Sequence, residues 1–205
     1  MTGFSFELAV NVLQILLLAA AVCRLWLAAW DTTEWAAVRI FSAGLFCYFV
    51  GDVYWTVHLL LRGTDPAVFS PADMAYFCTC IWLAKGAQLL THQGEKRRPR
   101  WVWAMLALPI GSYVLWITWY GCEPFGSLLL CASLSLLTFR AASGLALCEK
   151  RRRPFFAALL SFLLLILLLQ LSWGRVYPFI DLAVTASVAV MSVLLLKGVA
   201  KRDPC

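Results

Sequence analysis

The sequence predicts an all-α, polytopic membrane protein, and three observations predict it: composition, the length of the apolar segments and the distribution of charge. Of the 205 residues, 62% are apolar and 14% are charged, and the mean hydropathy is +0.81. A globular domain is typically about 45–50% apolar and about 25% charged. A soluble core of this size cannot bury so many large apolar side chains, and the remainder would form aggregating patches. The composition therefore excludes a soluble domain, and it also excludes a disordered chain.

Seven apolar segments are long enough to cross a bilayer, which takes about 20 helical residues at 1.5 Å per residue. They lie at residues 6–29, 37–61, 72–93, 101–120, 125–147, 155–173 and 178–197. The connections are short, so we expect a single seven-helix transmembrane domain over residues 1–205. The first segment has neither a basic leading region nor a clear cleavage site, and we interpret it as a retained span.

Proline residues support the boundaries of these segments. Pro71, Pro124, Pro154 and Pro178 each lie at the start of a predicted span, where the missing N–H costs nothing. Pro109 lies well inside the fourth span and predicts a kink there.

The distribution of basic residues predicts the orientation. Thirteen of the 17 lie on one side of the predicted membrane, in or beside the first connection, at 96–100, at 150–153 and from 197 onwards. The positive-inside rule therefore predicts an outside N-terminus and a cytoplasmic C-terminus. The charge is spread over several loops rather than forming one stripe, so no nucleic acid is expected as a partner. The lipid bilayer is the predicted partner; anionic headgroups explain the basic loops, and a cytoplasmic or membrane signalling partner docking there is the alternative.

Ionisable residues inside predicted spans cost about 2.5–3.5 kcal/mol each near the bilayer centre, so they are candidates for function. Asp52 lies in the second span, and Tyr48 and Trp55 share its helix face. Two interpretations stay open for Asp52. It either pairs with Lys85 or Arg140 in an internal charge network that holds helices together, or it contacts a ligand or a proton.

Two further carboxylates lie near the outer end of the predicted bundle. Asp73 and Asp181 each fall in the first turn of a span that begins with proline, where an acid can cap the helix. Asp52 is displaced towards the same side, and His58 reaches a similar depth. These residues predict a polar and aromatic cluster suited to a small polar or zwitterionic ligand with an aromatic part.

The motifs of metal sites and of common enzymes are missing. The two histidines, His58 and His92, lie at opposite ends of their spans and cannot share a metal. The sequence contains no H-E-x-x-H motif, and no nucleophile elbow or phosphate-binding loop stands in a suitable context. We therefore expect no metal, no cofactor and no enzymatic activity.

One stretch resembles a known family. Gly51-Asp52-Val53-Tyr54-Trp55, then Pro66, then Ser70-Pro71-Ala72-Asp73-Met74-Ala75-Tyr76 resembles the G-D-x-x-W … P … S-x-A-D-x-x-Y segment of multi-helix sensory regions. Those regions precede diguanylate cyclase or histidine kinase domains in bacterial membrane proteins. The resemblance covers residues 51–76, and it implies a sensor-like module of a bacterial inner membrane. It also implies that Asp52, Trp55, Asp73 and Tyr76 are shared positions.

The functional hypothesis is a sensor or receptor-like module that binds a small molecule or lipid between the second, third and seventh spans. No output domain follows in this sequence, so we expect it to signal through a partner, here as a stand-alone protein of the plasma membrane. The alternative is a small transporter or channel that uses the same polar cluster. The spans lack the Gly/Pro interruptions of many transporter sites, which favours the first hypothesis.

Overall fold

The computed structural model describes residues 2–64, 66, 70–91, 98–120, 124–172 and 176–199. The described residues form eight α-helices: α1 (Thr2–Ala28), α2 (Trp35–Arg62), α3 (Pro71–Leu90), α4 (Arg100–Ala104), α5 (Ala107–Tyr120), α6 (Pro124–Leu147), α7 (Arg153–Gln170) and α8 (Tyr177–Gly198). Each of the seven predicted segments is helical over most of its described residues, which confirms the predicted all-α class.

The helix ends follow from local chemistry. At the start of α3, the Ser70 side chain accepts from the backbone N–H of Asp73, while the Asp73 carboxylate accepts from that of Ser70. This capping box satisfies two backbone donors that the first helical turn would leave unpaired. Pro71, Pro154 and Pro178 stand in the first turns of α3, α7 and α8, as predicted. Gly63 ends α2 with φ +67°, in the left-handed region that favours glycine.

The kink predicted by Pro109 is present as an interruption between α4 and α5. The chain forms a turn at Met105 and Leu106. The backbone N–H of Leu106 donates to the carbonyl of Trp103, three residues earlier instead of four, at 3.1 Å. A proline ring clashes with the carbonyl four residues earlier, which here belongs to Met105. The interruption therefore lies where Pro109 requires it, and the fourth predicted span consists of two helices. The expectation that the spans lack Gly/Pro interruptions is wrong for this span.

Six helical segments of the described chain are long and apolar enough to cross a membrane: Leu8–Asp31, Trp35–Arg62, Arg100–Thr118, Gly126–Leu147, Arg153–Gln170 and Tyr177–Gly198. The third predicted span, α3, has 20 residues but is less apolar because it contains Asp73, Lys85 and Gln88. The protein is thus a helical, multi-pass membrane protein by length and composition. The count of seven crossings and the orientation stay predictions.

The packing order of the helices differs from their order in the sequence. α1 packs on α2, α2 on α3, α3 on α6, α6 on α7 and α7 on α8, and α8 returns to α1. These six helices form a closed ring. α4 and α5 both pack against α6, so the interrupted fourth span lies beside the ring and is not a member of it.

The end of the bundle that carries the α6–α7 loop, residues 148–152, is called the basic end here. Large apolar side chains fill the ring near it: Phe41, Leu83, Phe155, Phe156 and Met191 are fully buried. The ring of Phe41 meets that of Phe155 edge to face at 5.2 Å. This half of the bundle has a solid apolar core, and the free space lies towards the opposite end.

Two arginines of the α6–α7 loop bind the ends of three other helices. Arg152 forms an ion pair with Glu34 at the start of α2 and donates to the carbonyl of Leu90 at the end of α3, at 2.7 Å. Arg151 donates to the carbonyls of Lys197 and Val199 at the end of α8, both at 3.0 Å. These bonds satisfy carbonyls that helix C-termini leave without partners. We call Arg151, Arg152 and these partners the arginine clasp.

The Cys148 thiol, which directly follows α6, adds a weak bond beside the clasp. Its Sγ donates to the carbonyl of Leu90 at 3.8 Å. Burial raises the pKa of this thiol to about 11. The thiol is therefore protonated at neutral pH and able to act as the donor.

Candidate functional site

All six helices of the ring line one cavity of about 190 Å³ in the half of the bundle opposite the basic end. A space of about 10–15 Å³ holds one water molecule by the same measure, so this cavity has room for a small organic molecule. Its wall is largely apolar and aromatic, which is typical of ligand sites. Its polar side chains are Asn11, Gln14, Tyr48, Asp52, Thr56, Tyr76, Thr79, Gln170, Tyr177 and Asp181. We call it the central cavity.

A contact between α2 and α3 positions the Asp52 carboxyl group in this wall. The hydroxyl of Tyr76 donates to Oδ1 of Asp52 at 2.9 Å. The Tyr76 ring lies directly over Gly51, where a Cβ atom would be only 2.7 Å from the Cε1 atom of the ring. A glycine at position 51 is therefore needed for the Tyr76 ring to lie this close to the backbone of α2. The contact between α2 and α3 is therefore formed by Gly51, Asp52 and Tyr76.

Aromatic rings surround the Asp52 carboxyl group. Tyr48, one helical turn towards the basic end, meets the Tyr76 ring edge to face at 5.5 Å. It meets the Phe162 ring of α7 in the same manner at 6.2 Å. Trp55, one turn in the other direction, also lines the cavity. The prediction that Tyr48 and Trp55 share the face of Asp52 is confirmed.

Two amides of α1 complete the wall, and sequence reasoning missed both. Asn11 and Gln14 lie three residues apart on one helix face, and both line the central cavity. The Gln14 side chain is only 2% exposed, and its Nε2 has no hydrogen-bond partner in the described part of the chain. The available signal was the pair of amides in an otherwise apolar span. Their partners were not predictable without the order of helices in the ring.

A second cavity of about 270 Å³ adjoins the first. It lies between α2, α3, α5 and α6, and four residues line both spaces: Trp55, Leu130, Leu134 and Gln170. Ser112 and Trp116 of α5 fix Gln170 at the end of α7. The Ser112 hydroxyl donates to its Oε1 at 3.0 Å, and the Trp116 ring nitrogen donates to its backbone carbonyl at 3.1 Å. α5 therefore closes the side of the second cavity.

The structure brings together four of the six residues predicted to bind a ligand. Asp52, Trp55, Tyr76 and Asp181 all line the central cavity. Asp73 is not among its lining residues; it caps α3 and borders the second cavity.

His58 is half-buried on α2, with its ring 6.0 Å from that of Tyr54. His58 is not among the described residues that line the two cavities.

The two basic residues of the predicted charge network lie apart from Asp52. Lys85 is exposed on α3. The Arg140 guanidinium lies 6.0 Å from the centre of the neighbouring Phe139 ring. Among the described residues, no ion pair joins Asp52 to Lys85 or to Arg140, so the structure does not form the predicted network.

Within the described residues, no group of three His, Cys, Asp or Glu side chains is arranged to hold a metal ion. The central cavity combines the Asp52 carboxyl group, the Asp181 carboxyl group on α8, an amide whose nitrogen has no partner among the described residues, and several aromatic rings. This arrangement can recognise a small molecule by charge, by hydrogen bonds and by ring contacts. Comparisons with protein-family models, with curated protein sequences and with solved structures gave no match to this chain.

Proposed function

We propose that this protein is a membrane sensor or receptor-like module that binds a small molecule in the central cavity. The observation that carries the proposal is that all six helices of the ring line this one cavity. A ligand there contacts every helix of the ring, so its binding energy can favour one arrangement of the helices over another. A sensor needs that property.

We further propose that the chain crosses the bilayer seven times, with an outside N-terminus and a cytoplasmic basic end. The position of α3 supports this count, because α3 packs between α2 and α6 in the ring. Its 20 residues extend for about 30 Å, which is the thickness of the hydrocarbon core. Asp73 caps the start of α3, and Lys85 and Gln88 lie in its last two turns, from which a long side chain reaches the headgroups. The family resemblance favours the plasma membrane of a bacterium.

The signal would leave the molecule through α3 and the arginine clasp. Tyr76, near the start of α3, lines the cavity, and Leu90, at the end of the same helix, accepts a hydrogen bond from Arg152. A shift of α3 at the cavity would therefore change the clasp. Lys150 and Arg153 in and beside the α6–α7 loop are exposed, and they present positive charge to an acidic partner or to anionic lipid.

Thermal unfolding of the purified protein tests the proposal. A ligand present at 100 times its Kd stabilises the folded state by about 2.7 kcal/mol. We expect at least one compound of a broad panel of metabolites and lipids to raise the Tm of the wild type. Asp52→Asn should abolish this shift, because it replaces the carboxyl group that Tyr76 holds in the cavity wall while keeping the size of the side chain.

The matched control is Asp31→Asn, because Asp31 is exposed and lies near the other end of the bundle. Its ligand-dependent shift should equal that of the wild type. A panel in which no compound stabilises the wild type would contradict the proposal. So would an equal shift in the wild type and in Asp52→Asn.

A small transporter is the second candidate, and the pair of adjoining cavities favours it. Trp55 and Gln170 stand between the two spaces, as a barrier would in a permeation path. The stabilising compound should then cross the membrane of liposomes that contain the protein, and Asp52→Asn should stop the flux. Binding without flux favours the sensor.

A further inference from the structure

We propose that the central cavity takes an uncharged molecule that carries a carbonyl acceptor on an apolar body; this inference rests on the proposed function and names its ligand class. It starts from a buried donor in the wall. The Gln14 side chain lines the cavity and is only 2% exposed, and its Nε2 has no hydrogen-bond partner within the described part of the chain. A buried N–H group without an acceptor destabilises the protein that holds it. A ligand that brings an acceptor therefore gains binding energy from Gln14.

The surroundings of Gln14 favour a hydrogen bond to a ligand. Gln14 lies within the apolar segment Leu8–Asp31, where little water competes for hydrogen bonds. The terminal torsion of a glutamine is soft, so the amide can turn its N–H groups towards the cavity. Asn11, one turn away on α1, lines the same cavity and is 9% exposed. A carbonyl oxygen has two lone pairs, so one ligand carbonyl can accept from both amides.

The charge of the wall indicates that this acceptor belongs to an uncharged group. None of the described residues that line the cavity is Lys, Arg or His, whereas Asp52 and Asp181 both line it. An ionised carboxyl group repels an anionic ligand, and a protonated one gives it no positive charge. Burying an anion without a counter-charge costs far more than burying a carbonyl group. An ammonium group, in turn, has only donors and leaves Gln14 Nε2 unpaired.

The part of the wall opposite α1 selects the apolar body. In the order of the ring, α6 lies across from α1, and it contributes Leu130 and Leu134 to the cavity. Phe162 and Ile166 of α7 stand beside them. A cavity of about 150 Å³ is large enough to bind benzene, so the central cavity, at about 190 Å³, has room for one ring with a short chain. The ligand would place its carbonyl at α1 and its apolar body against α6 and α7.

Three probes of matched size separate the ligand classes. They are the ketone 4-phenylbutan-2-one, the hydrocarbon isopentylbenzene, in which a methyl group replaces the ketone oxygen, and the anion 3-phenylpropionate. Each is titrated into the protein in nanodiscs of zwitterionic lipid, and its partition into empty nanodiscs is subtracted. We expect the ketone to bind about tenfold more tightly than the hydrocarbon, and the anion to bind most weakly.

Gln14→Met identifies the donor, because methionine keeps the length of the side chain and removes the amide. Binding of the ketone should fall about tenfold, to the level of the hydrocarbon, whose own binding should not change. The matched control is Gln88→Met, since Gln88 is exposed on α3 and is not among the described residues that line either cavity. This variant should keep the preference of the wild type for the ketone. Equal binding of the ketone by Gln14→Met and by the wild type would contradict the assignment of the donor.

The wild-type protein alone can overturn the ligand class, so the test does not depend on the folding of Gln14→Met. Binding of the hydrocarbon or the anion as tightly as the ketone would overturn it while leaving the cavity as a ligand site. Absence of binding by all three probes would overturn it as well. The broad panel of the preceding experiment decides separately whether the cavity binds any ligand. The two proposals can therefore fail independently.

Discussion

At the scale of single residues, the contact between Gly51 and Tyr76 explains how a carboxyl group is held inside a membrane protein. A tyrosine hydroxyl gives Asp52 a hydrogen bond, and a glycine makes room for the ring that carries it. Tyr76 follows Gly51 by 25 positions and Asp52 by 24, so the contact exists only when α2 and α3 pack together.

Gly51→Ala should therefore be costly. Its added methyl group would lie 2.7 Å from a ring carbon of Tyr76, so the ring must move away from Asp52. We expect a loss of about 1–3 kcal/mol in the free energy of unfolding, measured by thermal or chemical unfolding in detergent. Binding of any ligand of the central cavity should fall with it.

Gly111→Ala is the control for this substitution. Gly111 is also helical, but a Cβ atom there would meet nothing within 4 Å. Alanine favours a helix over glycine by up to about 1 kcal/mol, so this variant should be as stable as the wild type or slightly more so. Equal destabilisation of both variants would contradict the close-approach explanation.

The sequence predicts which side chains of the site share a helix face, but it does not predict which neighbouring helix that face contacts. The helical repeat alone places Tyr48, Asp52 and Trp55 on one face, and the structure agrees. The repeat does not tell which neighbour that face meets. The repeat therefore leaves open whether Lys85 pairs with Asp52 or extends towards the headgroups, and the structure shows Lys85 exposed on α3. Gln14 was missed for the same reason.

At the scale of helices, the residues at helix ends predict the boundaries of several helices, just as the apolar segments predict the spans. The sequence predicts the starts of α3, α7 and α8 from their prolines and the break before α5 from Pro109. These features are local, and local chemistry is sufficient to predict them. The arginine clasp was not predictable in this way. The basic α6–α7 loop indicates a cytoplasmic side, but its sequence does not show that two of its arginines bind distant helix ends.

Arg152→Ala tests the clasp. The Arg152 and Glu34 side chains are 14% and 15% exposed, and removing one partner of a largely buried ion pair costs about 3–5 kcal/mol. We expect the free energy of unfolding to fall by about 3 kcal/mol, the lower limit of this range, because some water reaches the ion pair. The measurement is the midpoint of unfolding in detergent.

Arg153→Ala is the comparison for Arg152→Ala, because Arg153 is exposed and, within the described part of the chain, donates one long bond, to the carbonyl of Cys148 at 3.4 Å. It should change stability by less than about 0.5 kcal/mol. A similar midpoint for both variants would show that the clasp does not stabilise the bundle.

At the scale of the whole molecule, the sequence predicts the helical segments and fails to predict their arrangement. Consecutive helices usually pack together, and short connections favour it. Here α3 packs on α6 instead, and the helices between them lie beside the ring. The interruption at Pro109 divides the fourth predicted span into two shorter helices, which fits this outer position.

The seven crossings can be tested by reporter fusions in the connections. Fusions near residue 64 and near residue 94 should report opposite sides of the membrane if α3 crosses it. Fusions near residues 94 and 150 should both report the cytoplasm, in accord with the positive-inside rule. Reporters at 64 and 94 that share one side would show that α3 does not cross.

The closure of the ring by α1 and α8 has a consequence for biosynthesis. The ribosome makes α1 before α8, yet both contribute to the wall of the central cavity. Until α8 enters the membrane, Asp52 and the α1 amides lack one side of their enclosure and face lipid or water. A nascent chain that stops before α8 therefore displays polar groups in the bilayer, which membrane proteases and insertases can recognise.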